Sequence, residues 1–272
     1  MIKKAAALVS LVRDEKPLVH HITNYVTVND CANITLGIGA SPIMADALEE
    51  AADIAAISRA VVLNMGTLNE RTIPSMLAAG KAASAGNVPV VFDPVGAGAS
   101  YLRNETASQI LKAVKLSVLR GNISEIRFIG GLSASTKGVD ASDSDLAGVG
   151  DAVGVAKAVA VKLGCVVAIT GAVDVISDGH AAWTIANGHP MLANLTGTGC
   201  MCSSLIGSFC GAASSQPLAA SVAALLTMGI AGGLAFEKAG VLGNGSFRVA
   251  LHDAVSNLDA KTIIERGKLD EA

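Results

Sequence analysis

Charge is scarce in this chain: only 16% of its 272 residues are Asp, Glu, Lys or Arg, against about 25% in an average domain. Between Gly179 and Phe236 there is none at all. Aromatic residues are rarer still, with one Trp, two Tyr and five Phe. So few ionic groups cannot solvate a full set of surface helices, and a homo-oligomer is expected. The net charge of −3 leaves no basic face, which argues against a nucleic-acid partner. The five cysteines, Cys31, Cys165, Cys200, Cys202 and Cys210, are odd in number and lack zinc-site spacing. They fit reduced thiols and a cytoplasmic location. The opening stretch MIKKAAALVSLVRDEK runs into charge at Arg13 to Lys16 and is expected to form an amphipathic helix rather than a leader. The stretch from Pro217 to Phe236 is apolar enough for a membrane span of about 20 residues. Its Ala, Gly and Ser content favours a buried helix instead, with no membrane partner expected.

What is present is an alternation of apolar runs. AVVLNMG (60–66), VPVVFDPVG (88–96), LSVLRGN (116–122) and CVVAITG (165–171) are predicted to be strands buried on both faces. Helical stretches lie at 44–59, ahead of the first of them, and at 69–86, between the first and second, so the sheet is predicted to be mainly parallel. Residues 173–190 are predicted to form an antiparallel hairpin turning at Asp178 and Gly179, with helix from Cys200 onward. The expectation is one α/β domain over residues 1–272. In such a sheet ligands gather beyond the carboxyl ends of the strands. Those ends offer Asn64 and Gly66, then Asp93, Gly96 and Gly98, then Arg120, Asn122 and Glu125, then Thr170 and Gly171. Two acids, an arginine and a hydroxyl suit a nucleoside triphosphate with Mg²⁺. Neither the P-loop nor the dinucleotide fingerprint is present.

A fifth element joins them. In NLTGTGCMCSS (194–204) Gly197 and Gly199 permit a tight turn whose N–H groups can face an anion, and Cys200 is predicted at the first helical position behind it.

Taken in order, HHITNYVT (20–27), GASPIMADALEE (39–50), LNMGTL (63–68), DPVGAGAS (93–100), LRGNISEI (119–126), KGVD (137–140), AITGAVDVI (168–176) and TGTGC (196–200) resemble the hydroxyethylthiazole kinases of thiamine salvage. Ile123 and Asn244 depart from the usual family residues. The resemblance implies a ribokinase-like fold and phosphorylation of 4-methyl-5-(2-hydroxyethyl)thiazole by ATP. It also implies a homotrimer with active sites between subunits. Met44 would pack on the thiazole, Gly197 would approach it through its backbone, and the stretch containing Asn24 would line its pocket. Arg120 and Thr170 would hold ATP phosphates, with Asp93 and Glu125 near Mg²⁺. Cys200 would stand where related kinases carry an aspartate base, with the helix N-terminus able to lower its thiol pKa. A cysteine hydrolase is the rival chemistry and needs a histidine such as His20 or His189 beside Cys200. His20 and His21 are otherwise expected to be a structural pair near a turn.

Overall fold

The computed structural model describes residues 1–132 and 148–272; the KGVD stretch at 137–140 lies outside the described residues. Among the described residues nine strands form one sheet, in the order β2-β1-β3-β4-β5-β6-β7-β8-β9. The four anticipated parallel strands are β3 (Ala60–Asn64), β4 (Val90–Asp93), β5 (Val118–Gly121) and β6 (Val166–Ile169). Each pairs in parallel with the next. The hairpin is β7 (Asp174–Ser177) and β8 (Ala182–Ile185), antiparallel and turning through Asp178 and Gly179, whose φ of 96° suits glycine.

Three strands depart from the sequence reading. β1 (Leu18–Ile22) and β2 (Ser41–Ile43) extend the parallel sheet beyond β3. The pair His20-His21 disguises β1, because two polar residues interrupt its apolar run. Both histidines are buried in the strand rather than placed near a turn, and His20 Nε2 lies 2.6 Å from the Ala45 carbonyl oxygen. The third, β9 (Leu269–Glu271), pairs with β8, so the chain does not remain helical to its end. Two of its three residues, Asp270 and Glu271, are charged, as suits the edge of the sheet.

Helices cover both faces, which is why the parallel strands are mostly apolar on both sides, with polar side chains gathered mainly toward their carboxyl ends. On one face Val61, Leu63 and Phe92 meet α3 (Leu48–Ile57), α4 (Thr72–Ala85), α5 (Tyr101–Ala113), α6 (Ile123–Gly130) and α7 (Val149–Leu163). On the other, Ala60, Val62 and Val91 meet α1 (Ile2–Glu15), α2 (Val28–Ile38), α8 (Thr198–Ala212), α9 (Pro217–Ala239), α10 (Asn244–Asn257) and α11 (Ala260–Arg266). Helix α8, which carries no charged residue, and α9, charged only at Glu237 and Lys238 near its end, occupy the middle of that layer. A Cβ on Gly207 of α8 would stand 2.5 Å from Val62, so small residues let this helix lie close on the sheet. The apolar stretch Pro217–Leu242 is long enough to cross a membrane, but 83% of its most apolar window is buried inside the protein.

Candidate active site

The carboxyl ends of β3, β4, β5 and β6 and the N-terminus of α8 converge. Asn64 and Asp93 are register partners at the ends of β3 and β4, and both side chains are buried. Asp93 Oδ2 accepts from Asn64 Nδ2 at 2.9 Å, Ser203 Oγ at 2.8 Å and Arg120 Nη1 at 3.3 Å. Its Oδ1 is equally buried and meets no partner among the described residues. Arg120 Nη2 donates to Thr170 Oγ1 at 2.5 Å, which draws the ends of β5 and β6 together. Burial works against the charge on Arg120, but Asp93, Glu125 and neighbouring thiols outweigh it and hold the guanidinium protonated.

Glu125 owes its position to helix capping. It is the third residue of α6, and its Oε2 accepts from the N–H of the cap residue Asn122 at 2.8 Å, while Asn122 Oδ1 accepts from the Glu125 N–H at 2.8 Å. Its Oε1 accepts from Gly96 N–H at 2.8 Å. Burial, followed by the charge of Asp93, pushes the Glu125 carboxyl up to about 7.

α8 begins at Thr198, so Cys200 is its third residue rather than its first. Gly197 caps the helix with a left-handed φ of 87°, and a Cβ there would stand 2.5 Å from Thr27 Cγ2. A Cβ on Gly199 would strike the Arg120 guanidinium at 2.6 Å. The two glycines thus let the turn close over Thr27 and Arg120 respectively. Burial and the charge of Asp93 push the Cys200 thiol up, against the pull of Thr27, Arg120 and Asn24. The helix N-terminus does not make this an acidic thiol: desolvation prevails. Asn24 Nδ2 and Asn64 Nδ2 donate to Cys200 Sγ at 3.1 and 3.3 Å.

Two cavities open on this cluster. One, of about 570 Å³, is lined by Asn24, Thr27, Asp93, Glu125, Gly197 and Cys200 among others. The second, of about 600 Å³, runs past Thr170, Asp174, Asn187, His189 and Met228. They share Arg120, Asn122, Ala193, Thr198 and Gly199 as a common wall. Two adjoining chambers with an arginine and a helix N-terminus between them suit transfer of an anionic group from one to the other.

The family model for hydroxyethylthiazole kinases matches residues 9–261. This chain belongs to the hydroxyethylthiazole kinase family. A hydroxyethylthiazole kinase of Ruminiclostridium cellulolyticum is 60% identical, over 99% of this chain and 98% of its own. One from Clostridium beijerinckii is 58% identical over 98% and 97%. The solved hydroxyethylthiazole kinase of Pyrococcus horikoshii superposes with a TM-score of 0.89 at 37% identity, covering 98% of both chains. An ADP complex of Bacillus subtilis pyridoxal kinase has a TM-score of 0.58 at 18% identity, covering 79% of this chain and 90% of its own, a likeness of fold. The ribokinase-like architecture expected from the sequence is the observed one.

Within this hydroxyethylthiazole kinase family member, seven residues singled out by the resemblance come together: Asn24, Asp93, Arg120, Glu125, Thr170, Gly197 and Cys200. Met44 does not join them. It follows β2, is half-buried, and lines neither cavity. Neither histidine proposed for a hydrolase serves Cys200. His20 is bonded to Ala45, while His189 stacks on Phe236 with centroids 3.5 Å apart and accepts from Met191 N–H. The sequence reading missed Ser203 and Asp174. Ser203 was legible only as a hydroxyl on an apolar helix, one turn after Gly199; Asp174 as an acid beginning an apolar strand.

Proposed function

We propose that this chain transfers the γ-phosphoryl group of ATP to the hydroxyl of 4-methyl-5-(2-hydroxyethyl)thiazole. The observation that carries this reading is the wall of Arg120 and Gly199 shared by the two cavities. ATP occupies the cavity lined by Thr170 and His189, and the thiazole alcohol occupies the one lined by Asn24, Gly197 and Cys200. The bond from phosphorus to the ADP oxygen breaks as the bond to the alcohol oxygen forms, and the hydroxyl proton passes to water or to an oxygen of the transferred phosphoryl group on the Cys200 side. The transition state is loose and needs little deprotonation of the alcohol, so a thiol with a high pKa is tolerable there. Arg120 and the N–H groups opening α8 supply most of the stabilisation, because they are fixed and partly desolvated before the charge moves.

Asp93 and Glu125 suit Mg²⁺. Asp93 presents a buried oxygen without a partner, and its charge raises the Glu125 pKa, a repulsion that a divalent cation relieves. No cluster of three metal-ligating side chains occurs among the described residues; this accords with an ion that binds through one or two carboxylates plus phosphates and water. When bound, Mg²⁺ neutralises phosphate charge.

The working form in this reading is a cytoplasmic homotrimer with sites between subunits. Tyr25 and Val26 are 75% and 55% exposed, and Val26 lines the acceptor cavity, which a neighbouring subunit would close. A partner's Met44 could then meet the thiazole that this chain's own Met44 does not reach. The test is incubation with ATP, Mg²⁺ and a panel of small alcohols, with product mass determined and particle mass measured by light scattering. A product heavier than the thiazole alcohol by one phosphoryl group, from a trimer, is expected. Phosphorylation of another alcohol alone, or ATP hydrolysis alone, overturns the substrate; a monomer overturns the shared site.

A further inference from the structure

Asn64 closes β3 and contacts Asn24, Asp93 and Cys200, yet the reaction described above gives it no part. It is 1% exposed. The backbone settles which way its amide faces. Gly66 N–H donates to Asn64 Oδ1 at 2.8 Å, and Thr27 N–H donates to Asn24 Oδ1 at 3.1 Å. A backbone N–H can only donate, so both amide oxygens, and with them both Nδ2 atoms, are identified. Asn24 Nδ2 then gives its two hydrogens to Asn64 Oδ1 at 3.0 Å and Cys200 Sγ at 3.1 Å. Asn64 Nδ2 gives its two to Asp93 Oδ2 at 2.9 Å and Cys200 Sγ at 3.3 Å. Both amides are saturated, and the sulfur is held as an acceptor from two directions.

We propose that Asn64 is a positioning residue for phosphoryl transfer: its amide ties the Cys200 sulfur to Asp93, leaving the sulfur's remaining valence for the acceptor cavity. The proposal rests on the kinase reading above. As a thiol, Cys200 spends its lone pairs on the two amides and keeps its S–H for the cavity; as a thiolate, it presents a lone pair there. In both states the substrate hydroxyl meets the sulfur along one direction. The same amide joins Ser203 and Arg120 in occupying Asp93 Oδ2, which leaves Oδ1 as the buried oxygen without a partner among the described residues. Asn64 thereby sets two reacting neighbours relative to each other without touching substrate itself.

The decisive variants are Asn64→Asp, which keeps the acceptor for Gly66 and replaces the donor by oxygen, and Asn64→Ala. Each is made in the native background and with Cys200→Ala. Three quantities are measured: kcat, the KM for each substrate, and the rate at which iodoacetamide alkylates Cys200 in the substrate-free protein, mapped by peptide mass. In the native background both variants are expected to lower kcat about tenfold or more, because misplaced groups lose alignment, while the KM for ATP moves by less than about twofold. With Cys200→Ala already present, Asn64→Ala should cost less than about threefold more, since residues acting through one another are not additive. Alkylation of Cys200 should slow in Asn64→Asp, where an oxygen replaces an N–H on the sulfur. Equal losses of kcat in both backgrounds, or an unchanged alkylation rate, overturn the proposal. If the native protein phosphorylates no thiazole alcohol, the kinase reading fails separately, and alkylation still decides whether Asn64 holds the sulfur. Should Asn64→Asp fail to fold by circular dichroism, Asn64→Ser carries the same readouts.

Discussion

The two cavities that meet at Arg120, proposed above as the acceptor and nucleotide sites, are built differently. The acceptor side is a closed hydrogen-bond network of side chains, running from Thr27 through Asn24 and Asn64 to Asp93, with Cys200 attached. The nucleotide side has few such links: Asp174 accepts from Gly171 N–H at 3.0 Å, and the wall continues through the backbone of 186–190 and the apolar Leu192 and Met228. Desolvation raises the Asp174 carboxyl to about 7. The difference separates two tasks. Aligning a small alcohol for reaction needs polar groups locked against one another. Holding a large ligand can rely on shape, backbone groups and apolar contact. Changes on the acceptor side should therefore act on kcat, and changes on the nucleotide side on KM.

Arg120→Ala removes the shared wall and should have the largest effect, lowering kcat by about 10²- to 10³-fold with smaller changes in either KM. Steady-state kinetics check it; a pure KM effect would assign Arg120 to binding alone and dissolve the division. Cys200→Ala should lower kcat about tenfold and leave nucleotide binding nearly unchanged, whereas Cys200→Asp should retain activity or exceed the native rate, since a carboxylate is ionised where this thiol is not. A folded but inactive Cys200→Asp protein removes the proton-acceptor role. His189→Ala loosens the stack on Phe236 and should raise the KM for ATP about three- to tenfold without moving the KM for the thiazole. Equal shifts in both would show that the cavities are not independent.

The smallest effect at neutral pH belongs to His21, which is buried on β1. Burial lowers its pKa from 6.5 to about 4, so between those values the unfolded chain takes up a proton that the folded chain refuses. Stability is complete above pH 6.5 and declines as pH falls toward 4, by roughly 3 kcal/mol at about 1.36 kcal/mol per unit. Burial also lowers the pKa of His20, which adds in the same direction. Urea titrations from pH 7.5 to 4.5 measure this; His21→Leu should flatten the decline, and an unaltered slope would place it elsewhere.

The parallel core was legible because β3 to β6 are short apolar runs that lead into polar or glycine residues at or just beyond their carboxyl ends. β1 was hidden because His20 and His21 look polar, although the fold buries one ring against Ala45 and the other beside the Val19 carbonyl. The charged β9 was hidden because an edge strand needs no apolar alternation. Among the site residues, Asp93, Arg120, Glu125 and Thr170 could be found as polar groups at strand ends. Ser203 could not, since a hydroxyl within an apolar helix has the same sequence signature whether it bonds its own backbone or a carboxylate.

Local patterning and residue type settled which segments are buried strands, where the chain turns over a helix N-terminus, and which polar groups stand at the strand ends, because periodicity and glycine conformation act within a few residues. Partnership was decided elsewhere. Which oxygen of Asp93 is occupied, how Asn24 and Asn64 face, and whether the Cys200 thiol is acidic depend on groups as far as 176 positions apart in the chain. Hydrogen-bond geometry and desolvation exist only once those segments are packed, so the chemistry of the thiol is a property of the assembled network rather than of the turn that carries it.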